Sequence, residues 1–142
     1  MAARVRPCTM HRRFLSGKIH RATVTGANLD YEGSITIDTA LLEAAGMTAF
    51  EQVHVYNISN GNRVVTYALE GASGEVTING AAARLFSAGD LIIITTFVNL
   101  DDREVARHQP QVVLVDTANR IVAVHRDQVA PSMARTAAAA PR

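Results

Sequence analysis

A chain of 142 residues, 48% hydrophobic and 19% charged, has the length and composition of a single globular domain. Its formal net charge of +1 includes no basic stripe, which argues against a nucleic-acid or membrane-surface partner. A single cysteine, Cys8, excludes an internal disulfide and is typical of a reducing compartment, so we expect a cytoplasmic protein. No apolar run approaches the roughly 20 residues that cross a bilayer.

The first predicted element is a strand over residues 18–25, which are rich in β-branched side chains and alternate in character. A period of two puts Lys18 and His20 on the same face of that strand. A second, short strand is predicted over residues 34–37, after a turn at residues 32–33.

A short helix is predicted next. Asp38 marks its start, because an aspartate side chain accepts a hydrogen bond from the first free N–H groups of a helix. Leu41, Leu42 and Ala45 are expected to face inward, and Gly46 is expected to end the helix.

The rest of the chain predicts short strands separated by turns. Residues 53–58 and 63–69 flank Asn60-Gly61, and Asn-Gly between two β-prone runs is the strongest local signal for a hairpin. Many short strands with little helix indicate a mainly β fold and, more specifically, a small β-barrel. The later predicted elements are a turn at 71–74, a strand at 76–78, a helical turn at 80–86, a turn at 89–90, a strand at 91–98, a charged helix or loop at 101–107, and strands at 112–115 and 121–124.

Both ends are predicted to lie outside the domain, which is expected to span residues 10–126. Residues 1–9 form a basic extension without the apolar segment of a secretory signal, and Met10 is an alternative start. Residues 127–142 are rich in alanine and offer little to bury, which predicts a disordered tail.

The most informative stretch is Tyr31-Glu32-Gly33-Ser34, because a serine after glycine in a tight turn can cut its own backbone. Serine Oγ attacks the preceding carbonyl, and glycine there removes a crowding Cβ and permits unusual backbone angles. The oxyanion needs a donor, either the Thr66 hydroxyl or a backbone amide. Loss of the ester converts the serine into a pyruvoyl group, whose ketone forms a Schiff base with an amine and accepts electrons as CO2 leaves. The expected substrate is an amino acid that loses its α-carboxylate.

Four motifs occur in order: MHRRFLSGKIHR at residues 10–21, YEGS at 31–34, NGNR with a following Thr-Tyr at 60–67, and NGAAA at 79–83 before Gly89-Asp90. Together they resemble the bacterial aspartate 1-decarboxylase family, and the resemblance covers residues 10–124. It implies a small double-psi β-barrel with short helices and a homotetramer. It also implies conversion of L-aspartate to β-alanine and CO2 for pantothenate and coenzyme A synthesis.

The resemblance assigns roles residue by residue. Ser34 matches the pyruvoyl precursor, with cleavage between Gly33 and Ser34, and Tyr67 matches the proton donor that reprotonates the carbanion. The cofactor is thus a covalent pyruvoyl group. No metal is expected, because no second histidine or carboxylate sits at ligand spacing from His20. The substrate-binding positions are Thr66, Gly80, Ala81, Ala82, Arg63 and Lys18, and the supporting positions are His20, Tyr31 and Asn79.

Two of these roles also follow from residue chemistry. The planar guanidinium of Arg63 suits the side-chain carboxylate that aspartate keeps. Backbone N–H groups at residues 80–82 suit an anion, and the small side chains there let a substrate approach. The active sites are expected at subunit interfaces, with Lys18 and Tyr67 supplied by different subunits.

Blander interpretations stay open at this point. Gly-Ser also occurs in ordinary turns, Lys18 suits a solvated surface, His20 suits a structural histidine, and Tyr67 suits a core aromatic. A Ser-His hydrolase is a weaker alternative, because the Gly-x-Ser-x-Gly elbow is absent. A binding module on the same barrel would leave residue 34 as an uncut serine. The sequence does not decide whether cleavage is spontaneous or needs a maturation factor.

Overall fold

Strands dominate the computed structural model, which describes residues 10–126; the predicted extension (1–9) and the predicted tail (127–142) lie outside the described residues. The prediction of a mainly β fold with short helices is confirmed. The strands are β1 (Arg12–Thr23), β2 (Gly26–Asn28), β3 (Ser34–Asp38), β4 (Gln52–Asn57), β5 (Arg63–Gly71), β6 (Val76–Asn79), β7 (Leu91–Leu100), β8 (Gln111–Val115) and β9 (Ile121–Arg126). The helices are α1 (Thr39–Ala45), α2 (Asp102–Val105) and one 3₁₀ helix (Gly80–Leu85).

The strands of the described region join one mixed sheet in the order β2-β6-β3-β5-β4-β7-β1-β8-β9. β3 pairs antiparallel with β6 and parallel with β5. β1 similarly lies between antiparallel β7 and parallel β8. The start of β3, where residue 34 lies, is therefore enclosed by a strand on each side. The mixed directions agree with the predicted fold class, and the double-psi closure stays a prediction.

Helix α1 and the β4–β5 hairpin form where local sequence signals predicted them. The Asp38 carboxylate accepts a hydrogen bond from the Ala40 N–H at 2.8 Å, and the three side chains predicted to face inward are buried. Gly46 ends the helix in the left-handed region, with φ 69°. Gly61, with φ 81°, makes the turn of the hairpin possible in the same way.

The first two strands differ from the prediction. The strand predicted over residues 18–25 is part of a longer one that begins at Arg12 and ends at Thr23. Irregular pairing just before Gly17 and just after His20 breaks its alternation, so a period of two does not reveal its full length. β2 was not predicted, because it is only three residues long and depends on pairing with the distant β6.

The hydrophobic core is built from strands across the whole sheet, with α1 covering one part of it. Burying each aliphatic side chain stabilises the fold by about 1.5–3 kcal/mol before entropy is counted. Among the fully buried side chains are Ile19, Ile35, Ile37, Leu41, Val53, Val55, Ile78, Ile92 and Ile94.

Gly17 determines how closely α1 approaches β1. A Cβ at Gly17 would overlap the Ala45 carbonyl oxygen and lie 3.1 Å from Thr96 Oγ1. We therefore expect Gly17→Ala to lower the free energy of unfolding by about 1–3 kcal/mol, since backbone must move to admit the methyl group. Thermal unfolding measures the effect. Gly26→Ala is the control, because its Cβ would meet Thr77 at an ordinary 3.7 Å. A Tm of Gly17→Ala equal to the control's would contradict the prediction.

Candidate active site

Ser34 is the first residue of β3, and its side chain is fully buried. Its hydroxyl donates a hydrogen bond to the Glu32 carbonyl oxygen at 3.1 Å and accepts one from Asn79 Nδ2 at 3.0 Å. A hydroxyl has one proton and two lone pairs, so these bonds occupy the proton and one lone pair. The other lone pair stays available for attack while the side-chain rotamer is held.

Asn79 reaches Ser34 from the neighbouring strand, because the two residues lie opposite each other in the antiparallel β3–β6 pair. Asn79 Nδ2 also donates to Thr36 Oγ1 at 3.0 Å. Asn79 stands at the N-cap of the 3₁₀ helix, yet its side chain makes no capping hydrogen bond. An asparagine at this position usually accepts backbone N–H bonds through its side-chain oxygen, whereas the bonds that Asn79 makes are donated by Nδ2 to Ser34 and Thr36.

The glycine that the loop before Ser34 requires is Gly80 rather than Gly33. The φ of Gly33 lies outside the left-handed region, and a Cβ there would meet nothing within 4 Å. The expectation that Gly33 serves to adopt unusual backbone angles is therefore wrong for this conformation. Gly80 has φ 69°, and a Cβ there would lie 2.6 Å from Gly33 Cα and 3.0 Å from the Tyr31 carbonyl oxygen. Only glycine at position 80 lets these two backbone segments pack together.

Tyr67 lies beside Ser34 through the register of β3 and β5. Ile35 pairs with Ala68 in this parallel ladder. Ser34 and Tyr67 are each one position earlier, so their side chains share the face of the sheet opposite the one that carries Ile35 and Ala68. The half-buried Tyr67 ring stacks on Phe50, with centroids 6.4 Å apart and planes at 25°. The structure thus brings the predicted proton donor and the predicted pyruvoyl precursor to one region.

Phe50 is a neighbour of the site that sequence reasoning missed. Its side chain is 77% exposed, and its φ of 69° lies in the left-handed region, which bulky residues rarely adopt. Its backbone N–H donates to the Ala68 carbonyl at 2.7 Å. No local pattern signals an aromatic residue in this conformation, since tertiary contacts impose it.

The other predicted substrate-binding positions near Ser34 lie on two elements. Thr66 is half-buried on β5, and its side chain points to the face opposite Tyr67 because neighbouring residues in a strand alternate. Gly80, Ala81 and Ala82 form the first turn of the 3₁₀ helix, where Gly80 is buried and Ala81 is exposed.

Lys18, His20 and Arg63 form a separate group. Lys18 and His20 share a face of β1, as predicted, but three strands lie between β1 and β3 in the sheet order. The Arg63 guanidinium lies 5.0 Å from the Tyr56 ring centroid, and Tyr56 and His20 pair with the same residue of β7. Within residues 10–126 of one chain, no hydrogen bond joins this group to Ser34.

His20 has an unusual environment for a histidine. Its Nδ1 atom is buried and has no hydrogen-bond partner among residues 10–126. Burial, followed by the positive charges of Lys18 and Arg21, lowers the pKa of His20 below its ordinary value. The imidazole is therefore neutral at pH 7.

A surface hollow of about 340 Å³ opens beside the loop that precedes Ser34. Tyr31, Thr36 and Asn79 line it together with the carboxylates of Glu70 and Glu75. Negative charge on the wall repels an acidic substrate, so the hollow suits water better than a dicarboxylate.

Sequence spacing did not reveal a cluster formed by His11, Asp101 and Glu104, whose potential ligand atoms lie within 4.8 Å of one another. The carboxylate of Asp101 already accepts hydrogen bonds from the N–H groups of Arg103 and Glu104 at the start of α2. Helix capping accounts for the position of Asp101, and the cluster lies outside the group around Ser34.

A model of the protein family described as aspartate decarboxylase matches residues 10–122, which include every residue of the group around Ser34. The chain belongs to the aspartate decarboxylase family. The resemblance drawn from the four motifs is thereby confirmed, and the chain is an enzyme of this family.

Curated relatives of the aspartate decarboxylase family match this chain over most of their own length. Aspartate 1-decarboxylase 2 of Gloeobacter violaceus is 58% identical over 119 residues, which are 82% of this chain and 95% of the relative. Aspartate 1-decarboxylase of Syntrophobacter fumaroxidans is 57% identical over 113 residues, 78% of this chain and 91% of the relative. The Hydrogenobaculum enzyme of the same name is 52% identical over 118 residues, 83% and 94% respectively. No helix within residues 10–126 is long and apolar enough for a membrane crossing.

The lowered pKa of His20 predicts a loss of stability on mild acidification. As the pH falls below the ordinary histidine pKa of 6.5, the unfolded chain binds a proton at His20 more readily than the folded chain does. The free energy of unfolding therefore decreases as the pH decreases. We expect Tm to fall less between about pH 7.5 and about pH 5.5 in His20→Gln than in the wild type. Thermal unfolding at both pH values checks this, and His125→Gln, at an exposed position of β9, is expected to keep the wild-type fall. Equal falls in wild type and His20→Gln would refute the prediction.

Proposed function

We propose that this chain cuts its own backbone between Gly33 and Ser34 and then converts L-aspartate to β-alanine and CO2. The observation that carries the proposal is the buried Ser34 hydroxyl, held between the Glu32 carbonyl and the Asn79 amide. Membership of the aspartate decarboxylase family and the names of the relatives support the substrate.

The cleavage uses atoms of this chain and one water molecule. Ser34 Oγ bonds to the Gly33 carbonyl carbon, the bond from that carbon to Ser34 nitrogen breaks, and the hydroxyl proton ends on the nitrogen. Loss of the Ser34 Cα proton then expels Gly33 as a carboxylic acid that keeps the serine oxygen. The dehydroalanine left at position 34 takes up water and releases ammonia, which leaves a pyruvoyl group.

The residues around position 34 fit a pyruvoyl group. Asn79 offers an N–H donor on one side, and the missing side chain of Gly80 leaves room beside the cut. Once formed there, a pyruvoyl group would supply a ketone that can bind an amine and withdraw electrons during loss of CO2. Tyr67 then delivers a proton from its hydroxyl to the substrate carbon that has lost CO2.

The substrate carboxylates require cations, and the proposal takes these from Lys18 and Arg63. Three strands lie between Lys18 and β3, and Arg63 lies at the start of β5, four residues before Tyr67, so the proposal takes both cations from a second copy of the chain in a homotetramer. The first turn of the 3₁₀ helix contacts the substrate, while His20 and Tyr31 support the site. We place the enzyme in the cytoplasm, where β-alanine serves pantothenate and coenzyme A synthesis.

Changing Ser34 to alanine is expected to abolish both cleavage and β-alanine production, because no hydroxyl is left to attack Gly33. Intact-mass spectrometry of the wild type should show pieces of residues 1–33 and 34–142, the larger one reacting with a carbonyl reagent. Ser73→Ala, in an exposed turn, is the control and should be cleaved like the wild type. Normal β-alanine production by Ser34→Ala would end the proposal. Wild type that is cleaved only with cell extract would indicate a maturation factor.

Changing Tyr67 to phenylalanine is expected to leave cleavage intact and to lower kcat by about 10²–10⁴-fold, the usual contribution of a positioned proton donor. The ring and its packing against Phe50 remain, so folding should be preserved. Mass analysis first establishes that the variant is fully cut, and β-alanine formation is then timed. An unchanged kcat in cut protein would remove Tyr67 as the donor.

A further inference from the structure

Thr36 has no part in the chemistry above, yet it shares the Asn79 amide with Ser34. We infer that Thr36 is a positioning residue for self-cleavage, which holds the Asn79 amide against Ser34 Oγ; the inference rests on the proposed function. No motif in the sequence pointed to this residue.

The Asn79 amide is fully committed between the two hydroxyls. An amide nitrogen carries two hydrogens, and Asn79 Nδ2 lies 3.0 Å from Ser34 Oγ and 3.0 Å from Thr36 Oγ1. Ser34 and Thr36 are two positions apart on β3, so both side chains stand on the face that Asn79 reaches. Only 3% of Asn79 is exposed, so these two hydroxyls are the main partners of its amide nitrogen.

The Thr36 hydroxyl is aimed by a contact on its other side. A Cβ at Gly71 of β5 would lie 2.7 Å from the Thr36 Cγ2 methyl, which therefore fills space that any other residue at position 71 would occupy. A threonine side chain is stiff, since two heavy atoms on Cβ leave few rotamers. Seating the methyl against Gly71 fixes the direction of the hydroxyl toward Asn79.

Loss of the hydroxyl at position 36 would weaken control of the attacking serine. Asn79 would keep one of its two bonds, and its side chain could turn so that Oδ1 accepts from the free N–H groups of the 3₁₀ helix that it now leaves uncapped. Ser34 Oγ would then lose the donor that holds its rotamer. Formation of the bond from Ser34 Oγ to the Gly33 carbonyl carbon, with breakage of the Gly33–Ser34 amide, would start from a less ordered state.

Thr36→Val tests the inference, because it keeps the shape of the side chain and removes the acceptor. We expect the newly synthesised variant to be cleaved about three- to tenfold more slowly than the wild type. Intact-mass spectrometry of a cell-free translation reaction measures the rate of cleavage. Thr36→Ser keeps the acceptor but loses the methyl group that contacts Gly71, so it should slow cleavage clearly less than Thr36→Val does. Cleavage of Thr36→Val at the wild-type rate, or equal slowing by both substitutions, would overturn the role of the hydroxyl.

A double-mutant cycle separates positioning from general structural support. If Thr36 acts only through Asn79, adding Thr36→Val to Asn79→Ala should cause no further slowing, whereas a structural effect would multiply. Multiplied effects would refute the inference.

A second readout does not depend on cleavage. In the uncut Ser34→Ala background, NMR should show faster hydrogen exchange of the Asn79 side-chain amide when Thr36 becomes valine. Unchanged exchange would overturn the inference. Wild-type chain that stays uncut even with cell extract would count against the proposed function. In that case the exchange measurement would still show whether Thr36 holds the Asn79 amide.

Discussion

The contact between Asn79 and Ser34 exists only because β3 and β6 pair in one particular register. Ile35 and Ile37 of β3 and Ile78 of β6 are fully buried, and a slip of one residue by either strand would turn that strand's isoleucines away from the core. The hydrophobic core therefore fixes the register, and the register places an amide opposite the serine. A chemical arrangement between two polar side chains thus draws its stability from aliphatic side chains that take no part in it.

Gly80 adds a second constraint, which acts on the backbone rather than on side chains. Its left-handed φ turns the chain from β6 into the 3₁₀ helix and presses it against Gly33. The same tripeptide Asn79-Gly80-Ala81 therefore orients the serine and confines the peptide bond in front of it. Tyr67 approaches from β5 on the other side, so each neighbour of β3 brings one part of the site.

Most elements were predictable, because their signals are local. The cap at Asp38, the end of α1 at Gly46 and the turn at Asn60-Gly61 each depend on a few adjacent residues. What the sequence did not reveal depends on contacts between distant segments: the short strand β2, the full length of β1, and the role of Gly80 against Gly33. The site residues were found through motifs, but their division into a group at Ser34 and a group at Lys18 is a property of the sheet order.

The position of Gly33, in the loop between β2 and β3, has a thermodynamic consequence. A break after it would assign β1 and β2 to a short peptide and leave the other strands on the longer one. β1 is an interior strand between β7 and β8, and it contributes the fully buried Ile19. The uncut chain folds as one molecule, whereas a chain cut there, once denatured, would have to reassemble from two separate polypeptides. Its recovery would then depend on concentration, so the scission would convert a reversible fold into a bimolecular association.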